Sequence, residues 1–121
     1  MANRTGIIVT GSSGFLGKRL LELLRANGWP IARFEGDVQN FASCDQAFDV
    51  VVHLAAKTQS KAFAQDSWAA FETNVIGSQS VIEYCERTGA RYIFASTSGV
   101  YRPSSEPVTE TSPVGPSRPY A

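Results

Sequence analysis

Apolar residues along the chain fall into short continuous runs separated by longer amphipathic stretches. "TGIIVT" (5–10) is β-branched and flanked by glycine, which predicts a buried strand. In "SGFLGKRLLELLRANG" (13–28) the period changes. Leu16, Leu20, Leu23 and Leu24 recur at helical spacing and Asn27-Gly28 supplies a stop, predicting an amphipathic helix. "PIARFE" (30–35) predicts a second strand weakened by Arg33, "ASCDQAF" (42–48) a short helix, and "DVVVHLAA" (49–56) a strongly apolar strand. A long helix is predicted over about 62–87, with Trp68, Phe71, Val75, Ser78, Ile82 and Cys85 on one stripe and Gly89 at its end. "RYIFAST" (91–97) predicts a fourth strand. From Ser98 onward the chain reads as loop, with all but one of its 6 prolines between 103 and 119.

Strands alternating with helices imply an α/β fold: a doubly wound parallel sheet of about four strands, Rossmann-like, with helices on both faces. The unbroken apolar runs agree, because parallel strands are buried on both sides. A length of 121 residues fits a single domain. Eleven basic and eleven acidic residues cancel, and no basic block or basic amphipathic helix points to nucleic acid or a membrane surface. The N-terminal apolar run, Ile7 to Val9, is too short for a signal-peptide core, and nothing approaches spanning length. Cys44 and Cys85 stand apart without a neighbouring ligand, so neither a metal site nor a disulfide framework is expected and a reducing cytoplasm is the default. The sole histidine, His53, points from a buried strand and reads as a hydrogen-bonded structural residue.

The most specific local signal is the turn between the first strand and first helix. Gly11, Gly14 and Gly17 form G-x-x-G-x-x-G in the strand–turn–helix context that dinucleotide binding needs. Gly11 takes the tight turn, Gly14 lets the backbone approach a pyrophosphate, and Gly17 removes a side chain where helix meets sheet. The helix N-terminus adds N–H groups and partial positive charge for phosphates. An acid about twenty residues on is expected to hold the adenosine ribose, and Glu35 stands there. Its carboxylate favours NAD over NADP, with Arg33 and Arg19 near enough in sequence to weaken that preference. Asp37 and Val38 follow, in place to flank the adenine.

In these features the chain resembles the extended short-chain dehydrogenase/reductase family, the NAD-dependent epimerases and dehydratases acting mainly on nucleotide sugars. The resemblance rests on "TGSSGFLG", "GDV", "DVVVHLAA", "NVIGSQSVIEYCERTGARYIFASTSGVY" and "PVTETSPVGPSRPYA", in that order over nearly the whole chain. It implies that Ser13, Phe15 and Leu16 join the glycines at the cofactor, that Leu54, Ala55, Ala56 and Lys57 line it, and that Asn74 shapes the long helix and a water relay. It further implies hydride transfer at a sugar carbon, with Tyr120 as the proton-transfer residue and Thr97 as the hydroxyl beside it. Ser96 and Ser98 are alternatives one register step away. An unperturbed phenol titrates near about 10, so it needs nearby positive charge to act as a base at neutral pH. The family lysine that supplies it would fall at position 124, past the 121 residues.

Ser98 and Gly99 stand where family dehydratases carry Asp-Glu, which argues against dehydration and leaves epimerisation or simple oxidation and reduction. Arg102 replaces the usual glycine after "VY", and a separate third strand is expected to be lost or merged into "FEGDV". The expectation is a single N-terminal dinucleotide-binding domain over 1–121, ending just after the catalytic tyrosine and lacking the substrate domain, inactive alone. A non-catalytic dinucleotide-binding module or a truncated product without activity is the alternative. An open edge at 91–97 and a bare flank on the long helix predict self-association, a partner chain or marginal stability.

Overall fold

The computed structural model describes residues 6–121, apart from the side chain of Ala62. Thr5, expected at the start of the first strand, lies outside the described residues. Four parallel strands form one sheet: β1 (Ile7–Thr10), β2 (Ile31–Arg33), β3 (Val50–His53) and β4 (Arg91–Phe94), in the order β2-β1-β3-β4. β2, β3 and β4 each end before the expected run does, because the chain leaves the sheet at its C-terminal edge to form the loops of the site.

The register Ile8↔Ala32, Ile8↔Val51 and Val51↔Tyr92 lays one row of side chains across the sheet. This row joins Phe41, Phe48, Val81, Tyr84 and Cys85 in the main core. The alternate row, with fully buried Val9 at its centre, faces the other way, where helix α1 (Phe15–Ala26) packs on β1 and β2. Helices therefore cover both faces, as a parallel sheet requires.

The inner line of α1 is not the expected leucine stripe. Gly17 and Leu21 are buried, whereas Leu16 and Leu23 are exposed. Gly17 packs on the Gly11–Ser12 backbone, and the inward line runs through buried 17 and 21 and half-buried 20 and 24, about one residue's rotation from the expected one. Segment 42–48 is not a helix. A 3-10 turn occupies Val38–Ser43, and the rest is irregular. Its backbone groups are held by side chains of the last helix: Arg87 donates to the carbonyls of Ala42 (2.8 Å) and Cys44 (3.1 Å). Tyr84 donates to the Gln46 carbonyl (2.7 Å) and accepts from the Phe48 N–H (3.0 Å). With those groups already satisfied, a local helix has little to add.

The long helix is not continuous either. It consists of α2 (Ser60–Gln65), α3 (Ser67–Phe71), a π-helical turn (Glu72–Ile76) and α4 (Gly77–Thr88). Asp66 breaks the first junction and caps α3, its Oδ1 accepting from the Ala69 N–H at 2.9 Å. The π turn holds one residue more than an α turn and so changes which face points inward. Trp68 and Phe71 before it and Val75 within it stay exposed; after it, Gly77, Ser80, Val81, Tyr84 and Cys85 are buried. Gly77 is required there, because a Cβ would collide with Val38 Cγ1. Gly89 ends α4 with its N–H on the Cys85 carbonyl (2.8 Å). Beyond β4, the chain makes a 3-10 turn at Ser98–Val100 and a single antiparallel bridge, Tyr101 to Val114. Among the described residues no helix is long and apolar enough to cross a membrane.

Candidate dinucleotide site

The chain leaves β1 for β2 on one side and returns to β3 on the other, so a crevice opens at the C-terminal ends of β1 and β3, where open α/β sheets take ligands. Gly11 fills the junction. Its φ of +67° is left-handed, and a Cβ there would lie 2.6 Å from the Ala55 nitrogen and 2.7 Å from the Leu54 carbonyl carbon. A Cβ on Gly17 would collide with the Gly11 carbonyl oxygen, so Gly17 serves helix–turn packing. A Cβ on Gly14 would meet only that same oxygen, at 3.3 Å, so this side of the turn stays open to a ligand. Gly14 is also the N-cap of α1, whose first turn carries no acidic residue. The positive end of the helix is thus left for an anion rather than neutralised internally.

Two chambers meet at this turn. A larger one, about 790 Å³, is lined by Gly11, Gly14, Phe15, Leu16, Gly17, Leu54, Ala55, Ala56, Asn74, Thr97 and Tyr120, all expected site residues. A smaller one, about 450 Å³, is lined by Gly11, Ser13, Glu35, Asp37, Val38 and Ala55, together with Arg33. Gly11 and Ala55 belong to both. Lys57 lines neither chamber, but its backbone is clamped from both sides by the Asn74 amide. Oδ1 accepts from the Lys57 N–H (2.7 Å) and Nδ2 donates to its carbonyl (2.9 Å). Val38 borders the small chamber while being buried in the core against Gly77. In the small chamber the Arg33 guanidinium reaches both Ser12 Oγ (3.3 Å) and, more loosely, Glu35 Oε1 (3.9 Å).

The floor of the large chamber carries a row of polar groups, with His53 and Ser78 among its lining residues. His53, 1% exposed, stands opposite Thr10 in register, with Nδ1 2.7 Å from Thr10 Oγ1 and Nε2 2.9 Å from Ser78 Oγ. Ser78 donates to the Asn74 carbonyl at 2.7 Å, and Thr10 Oγ1 accepts the N–H groups of Leu54 and Ala55, each at 3.2 Å. Burial pushes the His53 pKa down to about 4, so the imidazole is neutral at physiological pH. The expectation of a satisfied structural histidine holds. The sequence gives no sign of its partners, because Thr10 and Ser78 stand 43 and 25 residues away.

On the far wall, Thr97 Oγ1 accepts the Gly99 N–H at 3.1 Å, which caps the Ser98–Val100 turn and leaves the hydroxyl proton to donate elsewhere. The Tyr120 ring meets Phe63 of α2 edge-on, with centroids 6.3 Å apart. Thr97, Phe63 and Tyr120 also border a third recess of about 230 Å³, with Arg118 at its rim. Phe63 and Phe94 are cleft residues that sequence pattern did not single out; their only signal is an aromatic beside a loop.

A family model described as "NAD dependent epimerase/dehydratase family" matches residues 7–121. UDP-glucose 4-epimerase of Mycolicibacterium smegmatis is 27% identical over 94% of this chain and 46% of its own length. The solved structure of MoeE5 in complex with UDP-glucose and NAD superposes with a TM-score of 0.84, at 27% identity over 95% of this chain and 44% of that one. RMD from Pseudomonas aeruginosa, complexed with NADPH, superposes with a TM-score of 0.79 at 26% identity, over 96% of this chain and 44% of that one. The chain thus spans less than half the length of these proteins.

Proposed function

The chain belongs to the NAD-dependent epimerase/dehydratase family, and from that membership and the two-chambered cleft we propose that it binds NAD as part of an enzyme transferring hydride at a carbon of a nucleotide sugar. The observation that carries this reading is a single cleft bordered by the glycine turn, Leu54–Ala56, Asn74, Thr97 and Tyr120. The residues present fit the cofactor: an open approach at Gly14, an unneutralised helix N-terminus, and a carboxylate in the small chamber.

In this reading Glu35 accepts hydrogen bonds from the adenosine ribose, with Ser13, Asp37 and Val38 around it. Gly11, Gly14, Phe15, Leu16 and Gly17 frame the pyrophosphate. Ala55, Ala56 and the backbone held by Asn74 face the nicotinamide half, with Leu54 and Lys57 completing that wall. NAD, when bound, supplies a reversible hydride acceptor. Tyr120 removes the sugar hydroxyl proton, and Thr97 donates to the same oxygen. The Arg33–Glu35 contact leaves NADP as the lesser alternative. Ser98 and Gly99 provide no acid–base pair for dehydration, so epimerisation or oxidation and reduction is favoured. The free thiols Cys44 and Cys85 suit a cytoplasmic setting. Exposed Trp68, Phe71 and Val75 on the long helix, and Ile93 and Phe94 on β4, support self-association through that helix or sheet edge.

Titration with NADH, followed by fluorescence of Trp29 and Trp68, tests the cofactor claim. A saturable signal is expected, and none up to millimolar cofactor overturns it. A strictly monomeric sedimentation profile at high concentration overturns the association.

A further inference from the structure

We propose that His53 is a positioning residue of the cofactor site, holding both ends of the Leu54–Lys57 loop through one directional hydrogen-bond chain that requires its Nε2-protonated neutral form. The inference rests on the dinucleotide reading above and adds a residue and a protonation state to it.

The direction follows from counting protons. A threonine hydroxyl has one proton and two acceptor positions. Thr10 Oγ1 accepts from the Ala55 N–H and from the Leu54 N–H, which it shares with the Thr10 carbonyl at 3.3 Å. Its proton therefore goes to His53 Nδ1, which must carry a lone pair. The ring proton is then on Nε2 and is donated to Ser78 Oγ, whose own proton goes to the Asn74 carbonyl. Asn74 in turn clamps the Lys57 backbone through both atoms of its amide. The chain thus starts at residues 54 and 55 and closes at residue 57, which ties the whole loop to β1 and to the helix.

Reversing the imidazole would put two protons between Thr10 and His53 and leave Ser78 facing a lone pair. Protonating it would have the first of these effects. Either alternative breaks a link of the chain at the fully buried Thr10–His53 pair. The lowered pKa of His53 is consistent with the neutral form. Leu54 and Ala55 line the large chamber and Ala55 also lines the small one, so an error in this loop is transmitted to both halves of the cofactor.

Nitrogen-15 NMR of the imidazole, identified by its loss in His53→Asn, reads the tautomer directly. Nε2–H with an unprotonated Nδ1 is expected from about pH 6 to about pH 8; Nδ1–H or a cation there overturns the proposal. Two variants then separate the links. His53→Asn puts an acceptor where Nδ1 stood and keeps Thr10 in the chain, whereas His53→Gln reaches Ser78 but frees the Thr10 proton. NADH affinity is expected to fall about tenfold in His53→Gln and less than about threefold in His53→Asn. Tyr84→Phe, remote from the cleft, serves as the stability control. If it loses as much affinity at equal loss of melting temperature, or if both His53 variants bind as wild type, the role is merely structural. Wild-type protein that fails to bind NADH sinks the cofactor reading itself, and the tautomer measurement still stands apart from it.

Discussion

The glycine turn and the wall carrying Tyr120 border the same cleft but are held in different ways. Around Gly11 the backbone of one strand end touches the backbone of the next, and buried Thr10 and His53 are joined in a chain to half-buried Ser78. The opposite wall is loop. Thr97 caps its own turn, Tyr120 leans on one aromatic edge, and the Tyr101–Val114 bridge pins the intervening segment. The first region is preformed for binding a ligand of fixed shape. In the proposed reading, the second carries the hydroxyls that act on the substrate. Affinity and turnover should therefore respond to different substitutions.

The sharpest break between the regions is Tyr120→Phe. In a polypeptide of the relatives' length, turnover should fall at least about 100-fold while NADH affinity changes less than about threefold. A parallel loss of affinity would show that the two walls are not separable. On the other side, Gly17→Ala should destabilise the fold by about 3 kcal/mol, because the new methyl group collides with the Gly11 carbonyl. Gly14→Ala should leave the denaturant midpoint nearly unchanged and weaken NADH binding, since its methyl stands where the ligand approaches. Equal stability of the two variants would contradict the roles assigned to these glycines. Glu35→Ala should narrow the NAD-to-NADP preference by about tenfold, and an unchanged ratio of dissociation constants would remove Glu35 from the ribose site. The smallest effect is on acid stability. His53 binds its proton near pH 4 in the folded chain but near 6.5 when unfolded. The unfolded state is therefore the one that gains protons between these values, and stability falls as pH drops through that window. Between pH 7 and pH 5.5 the loss from this group should be about 1 kcal/mol, and His53→Asn should remove that part of the slope.

Much of this arrangement was legible along the chain, for identifiable reasons. β1 and β3 each open with three consecutive Ile or Val residues, and the glycine turn carries its geometry in its spacing. What remained hidden depended on contacts distant in sequence. Segment 42–48 looked helical by composition, yet Tyr84 and Arg87 take its backbone groups. The stripe from Trp68 to Cys85 assumed one helical phase, and the π turn at Glu72–Ile76 resets that phase midway. Leu16 and Leu23 looked like core residues by periodicity, but Gly17 sets the rotation of α1. Within the site, Glu35, Asn74, Thr97 and Tyr120 were placed by position in a motif, and the structure brings all four to the walls of the two joined chambers. The hydrogen bonds of His53 belong to no motif read along a single segment.

The two chambers share Gly11 and Ala55 as a common waist. A dinucleotide lying across that waist is a bivalent ligand, with one nucleoside arm in each chamber and the pyrophosphate as its tether. AMP and nicotinamide mononucleotide should then each bind weakly and without excluding the other. Their covalent union should gain the effective concentration that a short tether confers, commonly millimolar or higher. The backbone contact at Gly11 sets the span the tether must cover, and with it how much of the avidity is realised.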